Sequence, residues 1–173
     1  MYRSGRTVII EKVPKMYDYI RYCSPLGMLT VTEEGGALTA LVIDGQKYAD
    51  RHLAGKGVEH ETPVLHAAKL WLDSYFSREA PEVSGLPLSP KGTAFQKKVW
   101  RELLNIPYGA TDTYGALAGR LGSSARAVGS AVGRNPISII IPCHRVLAAD
   151  GSLTGYAGGL ENKEKLLQLE GIV

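Results

Sequence analysis

The sequence predicts a mixed α/β (α+β) protein made of two small domains, and three observations support this. Apolar segments typical of β-strands occur in the first half of the chain. Helical spacing of apolar residues dominates the second half. The intervening segment 81–90, PEVSGLPLSP, is rich in proline, serine and glycine, as connections between domains are. We therefore expect an N-terminal domain over residues 1–88, with an antiparallel sheet and a helix, and a C-terminal helical domain over residues 89–173.

The composition excludes several classes of protein. The 173 residues are 45% hydrophobic and 21% charged, an ordinary globular balance. No apolar run approaches the roughly 20 residues of a membrane span, and the one within Met1–Lys12 is too short for a secretory signal. Two cysteines, Cys23 and Cys143, exclude a disulfide framework, and no histidine spacing indicates a metal site. We expect a cytoplasmic protein with free thiols and no bound metal.

Charge is distributed unevenly along the chain. Residues 1–88 carry 10 Lys and Arg against 11 Asp and Glu, whereas residues 89–173 carry 10 against 6. The positive C-terminal half favours an anionic partner, of which nucleic acid is the commonest. An excess of this size also occurs on ordinary solvated surfaces, so charge alone leaves both interpretations open.

The first half contains a predicted hairpin and one predicted helix. Residues 27–32 and 37–43 are apolar, rich in β-branched side chains and separated by the loop Glu33–Gly36. Helical spacing follows over 65–76, with Leu65, Leu72 and Phe76 on the buried face. Because no cluster of charged or nucleophilic residues accompanies them, we interpret this half as a scaffold.

The second half begins with three predicted helices, over residues 95–104, 113–121 and 123–134. The second and third are joined through Gly122, and the third is basic. Short helices joined in this way are typical of a helix-turn-helix, here in a winged-helix-like domain that would bind DNA.

The third helix has one small, cationic face and one apolar face. Small residues beside arginines allow close approach to a phosphate backbone or a groove. The alternative is tight helix packing with solvated arginines. The first face contains Arg126, Ser130, Gly133 and Arg134, and the second contains Ala125, Val128 and Val132.

A candidate nucleophile follows the apolar run Ile137–Ile141, which predicts a buried strand ending at Pro142. Cys143 comes next and is followed by His144 and Arg145. Cationic or proton-accepting neighbours lower the pKa of a thiol and favour the nucleophilic thiolate. A buried structural cysteine is the alternative. Adjacent strand residues point in opposite directions, so His144 can act on the thiol only if the chain turns or a water bridges them.

Glu170 is a candidate third member of this group. Helical projection from Leu160 places Glu170 within the apolar arc of the last helix. A carboxylate on a core face requires a partner, and an imidazole that it orients is a suitable one. The alternative is that Glu170 frays into solvent at the helix end.

Together these residues resemble the O6-alkylguanine-DNA alkyltransferase family, in order and spacing over nearly the whole chain. The similarity is strongest from Phe95 to Gly171. The motifs that carry it are SPLG at 24–27, FQ at 95–96 with VW at 99–100, PYG at 107–109, TY at 113–114, ARAVG at 125–129, NP at 135–136, IIPCHRV at 140–146 and GYAGGL at 155–160.

The resemblance implies an activity and roles for particular residues. Members move an alkyl group from O6 of guanine to a cysteine thiolate, and each molecule acts once. By position, Cys143 is the acceptor, His144 takes its proton through a water molecule, and Glu170 holds His144. Asn135 would brace the turn that carries the cysteine. Tyr114 would press on the 3′ phosphate of the target and give a proton to the leaving guanine.

The resemblance also implies a DNA partner. Members bind duplex DNA with the second helix of the helix-turn-helix in the minor groove and flip the alkylated guanine out, since O6 in a stacked pair is inaccessible to a thiol. Arg126 would replace the extruded base, with Ser130 and Arg134 on the same face. Some members carry a hydroxyl residue at the position of Ala157. The base pocket and its flanking loop would include Val146, Tyr156, Ala157 and Lys163.

No cofactor is implied, because the lesion itself supplies the alkyl group, and a monomer is the simplest arrangement. Activity on O4-alkylthymine is left open. Three other functions remain in view. Alkyltransferase-like proteins recognise the lesion but lack the acceptor cysteine, against which Cys143 argues. A helix-turn-helix regulator would have no chemistry, and a cysteine hydrolase using Cys143 and His144 would turn over esters or amides without DNA.

Overall fold

A computed structural model of the chain describes residues 16–173. The prediction about a secretory signal in Met1–Lys12 concerns residues outside this range. Within 16–173, no helix is both long and apolar enough to cross a membrane. The strands are β1 (Met16–Ser24), β2 (Gly27–Glu34), β3 (Ala37–Ile43), β4 (Lys56–Glu59), β5 (Asp112–Thr113) and β6 (Val146–Leu147). The helices are α1 (Ala49–His52), α2 (Pro63–Phe76), α3 (Ala94–Leu103), α4 (Tyr114–Leu121), α5 (Ala125–Val132) and α6 (Leu160–Leu169).

The larger sheet has the strand order β3-β2-β1-β4. The predicted hairpin is present, and Gly35 and Gly36 make its turn with φ of 60° and 84°, values that favour glycine. The prediction of an antiparallel sheet is wrong in one respect. Strand β4 lies parallel to β1, with Met16 opposite Lys56. The four residues of β4 are too few to show an alternating pattern. The sheet is therefore mixed.

Helix α2 packs against this sheet. The side chain of Thr62 accepts a hydrogen bond from Leu65 N, and Pro63 occupies the first turn, so the helix has a well-defined start. Leu65 and Leu72 are buried as predicted, and Phe76 is partly buried. Tyr75 is also buried, near the end of the helix.

Three helices follow in the predicted order. A capping box formed by Thr93 and Gln96 begins α3. The side chain of Thr113 caps α4, which ends at Gly122 with φ 61°, and Ser124 caps α5. The left-handed conformation of Gly122 turns the chain between α4 and α5 and produces the helix-turn-helix.

Two details of α5 differ from the sequence-based expectation. The helix ends at Val132 and not at Arg134, because the chain turns before Pro136. Val128 and Val132 are buried as expected, whereas Ala125 is exposed because it is the first residue of the helix. The apolar face is therefore shorter than the projection indicated.

The strand predicted over residues 137–141 is wrong. Apart from one bridge between Ile137 and Leu41, the segment consists of turns, and Ile139 has φ 71°. Its residues are nonetheless all buried. Apolar β-branched residues indicate burial, but local hydrogen bonds such as Ile141 N to Ile137 O here replace a strand ladder.

Strand β3 joins the two halves of the chain. Leu38 N donates to Pro87 O and Ser89 N donates to Leu38 O, so the connecting segment lies along this strand. Further along, Leu41 N donates to Pro136 O and Ser138 N donates to Leu41 O. The segment that precedes Cys143 is thereby held against the sheet. The boundary near residue 88 stays a prediction.

Candidate active site

The cysteine lies in a short 3-10 turn, Cys143–Arg145, directly after Pro142. Because the chain turns here, the opposed directions of adjacent strand side chains do not apply to Cys143 and His144. The cysteine is 5% exposed. Its Sγ accepts a hydrogen bond from Asn135 Nδ2 at 3.2 Å. The nucleophile candidate is therefore buried beside a donor that stabilises negative charge on sulfur.

Asn135 organises the loop before the cysteine. Its Nδ2 donates to Ile141 O at 2.8 Å and to Ile137 O at 3.3 Å, and its Oδ1 accepts from Ile137 N at 3.0 Å. With the bond to Cys143 Sγ, one buried amide thus makes four contacts. These contacts satisfy backbone groups that a strand ladder would otherwise satisfy, which explains why this segment adopts turns.

His144 and Glu170 form a buried pair. His144 Nε2 lies 2.7 Å from Glu170 Oε1, and both side chains are fully buried. The alternative in which Glu170 frays into solvent is wrong, because Glu170 caps α6 with its backbone N bonded to Leu166 O. An ionised Glu170 requires the proton on Nε2, so Nδ1 is the free base. Within residues 16–173 this buried Nδ1 has no hydrogen-bond partner.

Arg145 has a different role from the one that the sequence indicated. Its Nε donates to Glu170 Oε2 at 2.8 Å and its Nη2 to Glu170 Oε1 at 3.0 Å. A third donor, Nη1, binds Ile106 O at 2.7 Å. We interpreted Arg145 as a cation that activates the thiol, but its guanidinium is committed to Glu170. A bidentate pair of this kind also fixes the orientation of the carboxylate.

Tyr75 completes the surroundings of the carboxylate, and sequence analysis missed it. Its hydroxyl donates to Glu170 Oε1 at 2.6 Å and lies 3.4 Å from His144 Nε2. Gly109 N donates to Glu170 Oε2 at 3.2 Å. Tyr75 belongs to α2, in the half that we interpreted as a scaffold, and it lies 95 positions from Glu170 along the chain. Only its place on the buried face of α2 could have drawn attention to it.

The protonation states follow from these contacts. Burial raises the pKa of Glu170, but hydrogen bonds from His144 and Arg145 outweigh it and lower that pKa to about 2. Burial lowers the pKa of His144, although Glu170 opposes this change. Near neutral pH the carboxylate is therefore ionised and the imidazole neutral, so the imidazole can accept a proton.

The thiol is protonated in the free protein. Burial raises the pKa of Cys143, and the hydrogen bond from Asn135 and the charge of Lys163 oppose this increase. Burial in turn lowers the pKa of Lys163 to about 8, although the thiolate of Cys143 favours its charged form. Ionisation of the thiol and the charge of the lysine therefore support each other.

Lys163 also holds the strand that follows the turn Cys143–Arg145. Its Nζ donates to Val146 O at 2.6 Å and to Thr154 O at 2.8 Å. Val146 is buried in β6, where it lies opposite Asp112 of β5. The ammonium thus connects β6 to the loop before α6.

The other predicted pocket residues lie around this loop. Tyr156 is buried, and Ala157 O accepts a hydrogen bond from Lys47 N at 3.0 Å. The Tyr114 hydroxyl donates to Thr154 O at 3.1 Å. Burial raises the pKa of Tyr114, and Cys143 adds to that increase. Tyr114 thus lies near the thiol and remains a proton donor at neutral pH.

The predicted DNA-binding side chains lie outside this buried group. Arg126, Ser130 and Arg134 are all exposed. In the part of the chain that the structure describes, none of the three forms an ion pair or a side-chain hydrogen bond. Their arrangement leaves the guanidinium groups available to an anionic partner.

No metal site accompanies these residues. Across residues 16–173 no group of three or more His, Cys, Asp or Glu side chains is placed to hold a metal ion. Both cysteines are free, with Cys23 exposed and Cys143 buried. What the site can do chemically is transfer of a group to a thiol assisted by a neutral histidine.

The chain is similar to known proteins over nearly its whole length. The family profile of the 6-O-methylguanine DNA methyltransferase ribonuclease-like domain matches residues 17–90, and that of the DNA binding domain matches residues 94–172. A methylated-DNA–protein-cysteine methyltransferase of Haemophilus influenzae is 46% identical and covers 89% of this chain and 86% of that protein. The constitutive enzyme of that name from Bacillus subtilis is 44% identical, with coverages of 86% and 92%. The crystal structure of Mycobacterium tuberculosis OGT in complex with DNA superimposes with a TM-score of 0.81 at 42% identity, covering 89% and 93% of the two chains.

Proposed function

Because this chain belongs to the 6-O-methylguanine DNA methyltransferase family, we infer that it repairs alkylated DNA by direct reversal, moving the alkyl group onto one of its own cysteines. Relatives at about 45% identity are named for this activity, and a related structure contains DNA. The protein is therefore a DNA-binding methyltransferase. Since the lesion supplies the alkyl group, the reaction requires no cofactor. An alkyl thioether has no bond that cellular thiols reduce, so each molecule acts once.

The acceptor that we assign is Cys143. The observation that carries this assignment is the buried His144–Glu170 pair, at 2.7 Å, in the turn that begins with this cysteine. Cys23, in contrast, is exposed on β1. Burial protects the Cys143 thiol from oxidants and other electrophiles until a substrate enters.

In the proposed reaction the Cys143 sulfur forms a bond to the alkyl carbon while the bond from that carbon to guanine O6 breaks. The electron pair of the broken bond stays on the guanine. The thiol proton passes through a water molecule to His144 Nδ1, and Glu170 stabilises the resulting imidazolium. Tyr114 gives a proton to the leaving guanine and recovers one from solvent, while His144 releases the proton that it accepted to solvent. The products are the thioether and guanine.

The substrate class that we propose is O6-alkylguanine in double-stranded DNA. Helix α5 would enter the minor groove with its small, exposed face, and the target base would leave the stack to reach the buried thiol. Arg126, at the start of that helix, would fill the gap, with Ser130 and Arg134 against the backbone. Charge and exposure support these assignments. A monomer suffices, because one chain contains every group the reaction uses.

The base pocket that we propose is lined by the residues around Lys163. Its ammonium fixes the loop that carries Thr154 and favours the thiolate electrostatically. Ala157 offers only its backbone, so a flipped base receives no side-chain hydrogen bond at this position. The other residues of the pocket are Val146 and Tyr156.

Mass spectrometry tests this proposal directly. The purified protein is mixed with a slight excess of duplex containing one O6-methylguanine, and its intact mass and peptides are measured. We expect one added methyl group on Cys143 and one lesion removed per protein molecule. Cys143→Ala should bind the duplex without gaining a methyl group, whereas the control Cys23→Ser should react like the wild type. Methylation of Cys23, or more than one turnover per molecule, would contradict the assignment.

The same experiment separates the other candidate functions. Binding without any change in mass would indicate a lesion-recognition or regulatory protein. Turnover of an ester or amide in the absence of DNA would indicate a hydrolase. A stoichiometric methyl adduct is expected only from alkyl transfer.

A further inference from the structure

We propose that Tyr75 is a positioning residue of the alkyl-transfer site: its hydroxyl donates to the Glu170 oxygen that binds His144 and thereby keeps His144 neutral and able to accept the thiol proton. This role rests on the proposed function of His144 as the base. It also gives the N-terminal half of the chain a part in the reaction.

The geometry at Glu170 Oε1 supports this role. Three donors converge on this oxygen, namely Tyr75 OH at 2.6 Å, His144 Nε2 at 2.7 Å and Arg145 Nη2 at 3.0 Å. Tyr75 and Arg145 each take a share of the negative charge that would otherwise stabilise the imidazolium form of His144. The Tyr75 hydroxyl therefore limits how strongly Glu170 favours the protonated form of His144.

The ring of Tyr75 is held so that its hydroxyl cannot leave this position easily. It stacks on Trp71 with centroids 5.3 Å apart and an interplanar angle of 10°. It packs against the rings of Phe76 and Tyr108 in T-shaped arrangements, with ring centroids 5.3 and 5.9 Å away. The residue is 0% exposed, so burial of its hydroxyl would be unfavourable without the hydrogen bond to the Glu170 carboxylate. Burial and Glu170 raise the pKa of Tyr75 far above neutrality, so the hydroxyl remains a donor.

Other charged and titratable groups face the same pair. Arg145 and Lys163 both disfavour a protonated His144, whereas Glu170 favours it. Tyr156 influences Tyr75 electrostatically. Within residues 16–173 neither Arg145 nor Lys163 forms a hydrogen bond with the Tyr75 hydroxyl, so a variant that removes only this oxygen leaves their contacts in place. The titratable and charged groups that interact with His144, Glu170 or Tyr75 among residues 16–173 include Tyr108, Cys143, Arg145, Tyr156 and Lys163.

The variant Tyr75→Phe makes this test. Titration of the His144 ring by ¹⁵N NMR in the DNA-free protein should show its midpoint raised by about half to one pH unit, the size expected for one lost hydrogen bond. In the pH–rate profile for single-turnover transfer from an O6-methylguanine duplex, the acid limb should move to higher pH as well. The rate should consequently fall more at a pH near the wild-type His144 midpoint than at a pH well above it.

Tyr108→Phe is the matched control. The Tyr108 ring belongs to the same aromatic cluster, but its hydroxyl donates to Leu169 O at 3.1 Å and not to the carboxylate. This variant should leave the His144 midpoint unchanged. An unchanged midpoint in Tyr75→Phe, or an equal shift in both variants, would overturn the proposal.

A measurement on the wild type covers the case in which Tyr75→Phe fails to fold. The Tyr75 hydroxyl proton should be protected from exchange and show a nuclear Overhauser effect to the Nε2 proton of His144. Absence of that contact would overturn the proposal. The NMR readouts need no DNA, so a shifted midpoint in a protein that transfers no methyl group would refute the proposed function while leaving the coupling of Tyr75 and His144 supported.

Discussion

Glu170 Oε1 and His144 Nε2 lie 2.7 Å apart in a site where neither side chain is exposed. The contact joins the end of α6 to the turn that carries the cysteine, across 26 positions of sequence. A buried carboxylate is costly unless donors surround it, and here the donors come from α2, from the loop after α3 and from the turn Cys143–Arg145. Interactions between distant parts of the chain therefore set the protonation of the site.

Glu170→Gln should slow alkyl transfer. The amide keeps the size of the side chain but removes the charge that stabilises a protonated His144, so we expect the single-turnover rate to fall by about tenfold or more. The measurement is the rate of methyl transfer from an O6-methylguanine duplex at neutral pH. Glu164→Gln, at an exposed position of the same helix, is the control. An unchanged rate in Glu170→Gln would show that the transfer does not depend on orientation of His144 by Glu170.

Stability should decrease in acid. Glu170 has a pKa of about 2 in the folded protein, below its usual value of 4.5, so its contribution is complete above about pH 4.5 and is lost as the pH falls towards 2. That contribution is about 3 kcal/mol. The lowered pKa of His144 acts in the same direction and begins to cost stability as the pH falls through about 6.5.

Urea unfolding at several pH values checks this expectation. The free energy of unfolding of the wild type should fall between about pH 4.5 and pH 2. Glu170→Gln should start from a lower stability at neutral pH and show a shallower decline. Parallel curves for the two proteins would show that other groups cause the acid sensitivity.

Asn135→Ala should destabilise the fold by about 2–4 kcal/mol, because it leaves the buried backbone groups of Ile137 and Ile141 without partners. The thiol also loses its donor, so reaction of Cys143 with iodoacetamide should require a higher pH. Denaturant unfolding and peptide-resolved alkylation measure the two effects. Asn162→Ala, which removes one partly buried hydrogen bond to Gly158 O, should cost less. Equal losses in the two variants would argue against the bracing role.

Arg126→Ala should impair repair of duplex DNA more than reaction with the free base O6-methylguanine. The free base does not need to be flipped, so a side chain that fills the stack contributes nothing to that reaction. Transfer rates on the two substrates give the comparison. Arg101→Ala, on an exposed position of α3, is the control for loss of one positive charge. Equal losses on both substrates for Arg126→Ala would rule out the flipping role.

The local elements were largely predictable. The hairpin, α2 and the helices of the second half follow from spacing and caps, such as Thr113 and Gly122 around α4. The run 137–141 was not predictable, because β-branched residues indicate burial without specifying how the backbone is satisfied. Strands β1 and β4 were also missed, and the four residues of β4 are too few to show an alternating pattern.

Sequence by itself determined which residue types belong to the proposed site: a cysteine followed by histidine, a carboxylate on the core face of the last helix, and a small, cationic helix face. Tertiary structure alone decided that Arg145 and Tyr75 both donate to Glu170. Those contacts join residues 25 and 95 positions apart, and no periodicity reports them. Periodicity tells which side chains are buried, whereas the choice of partner among buried groups depends on how the elements pack together.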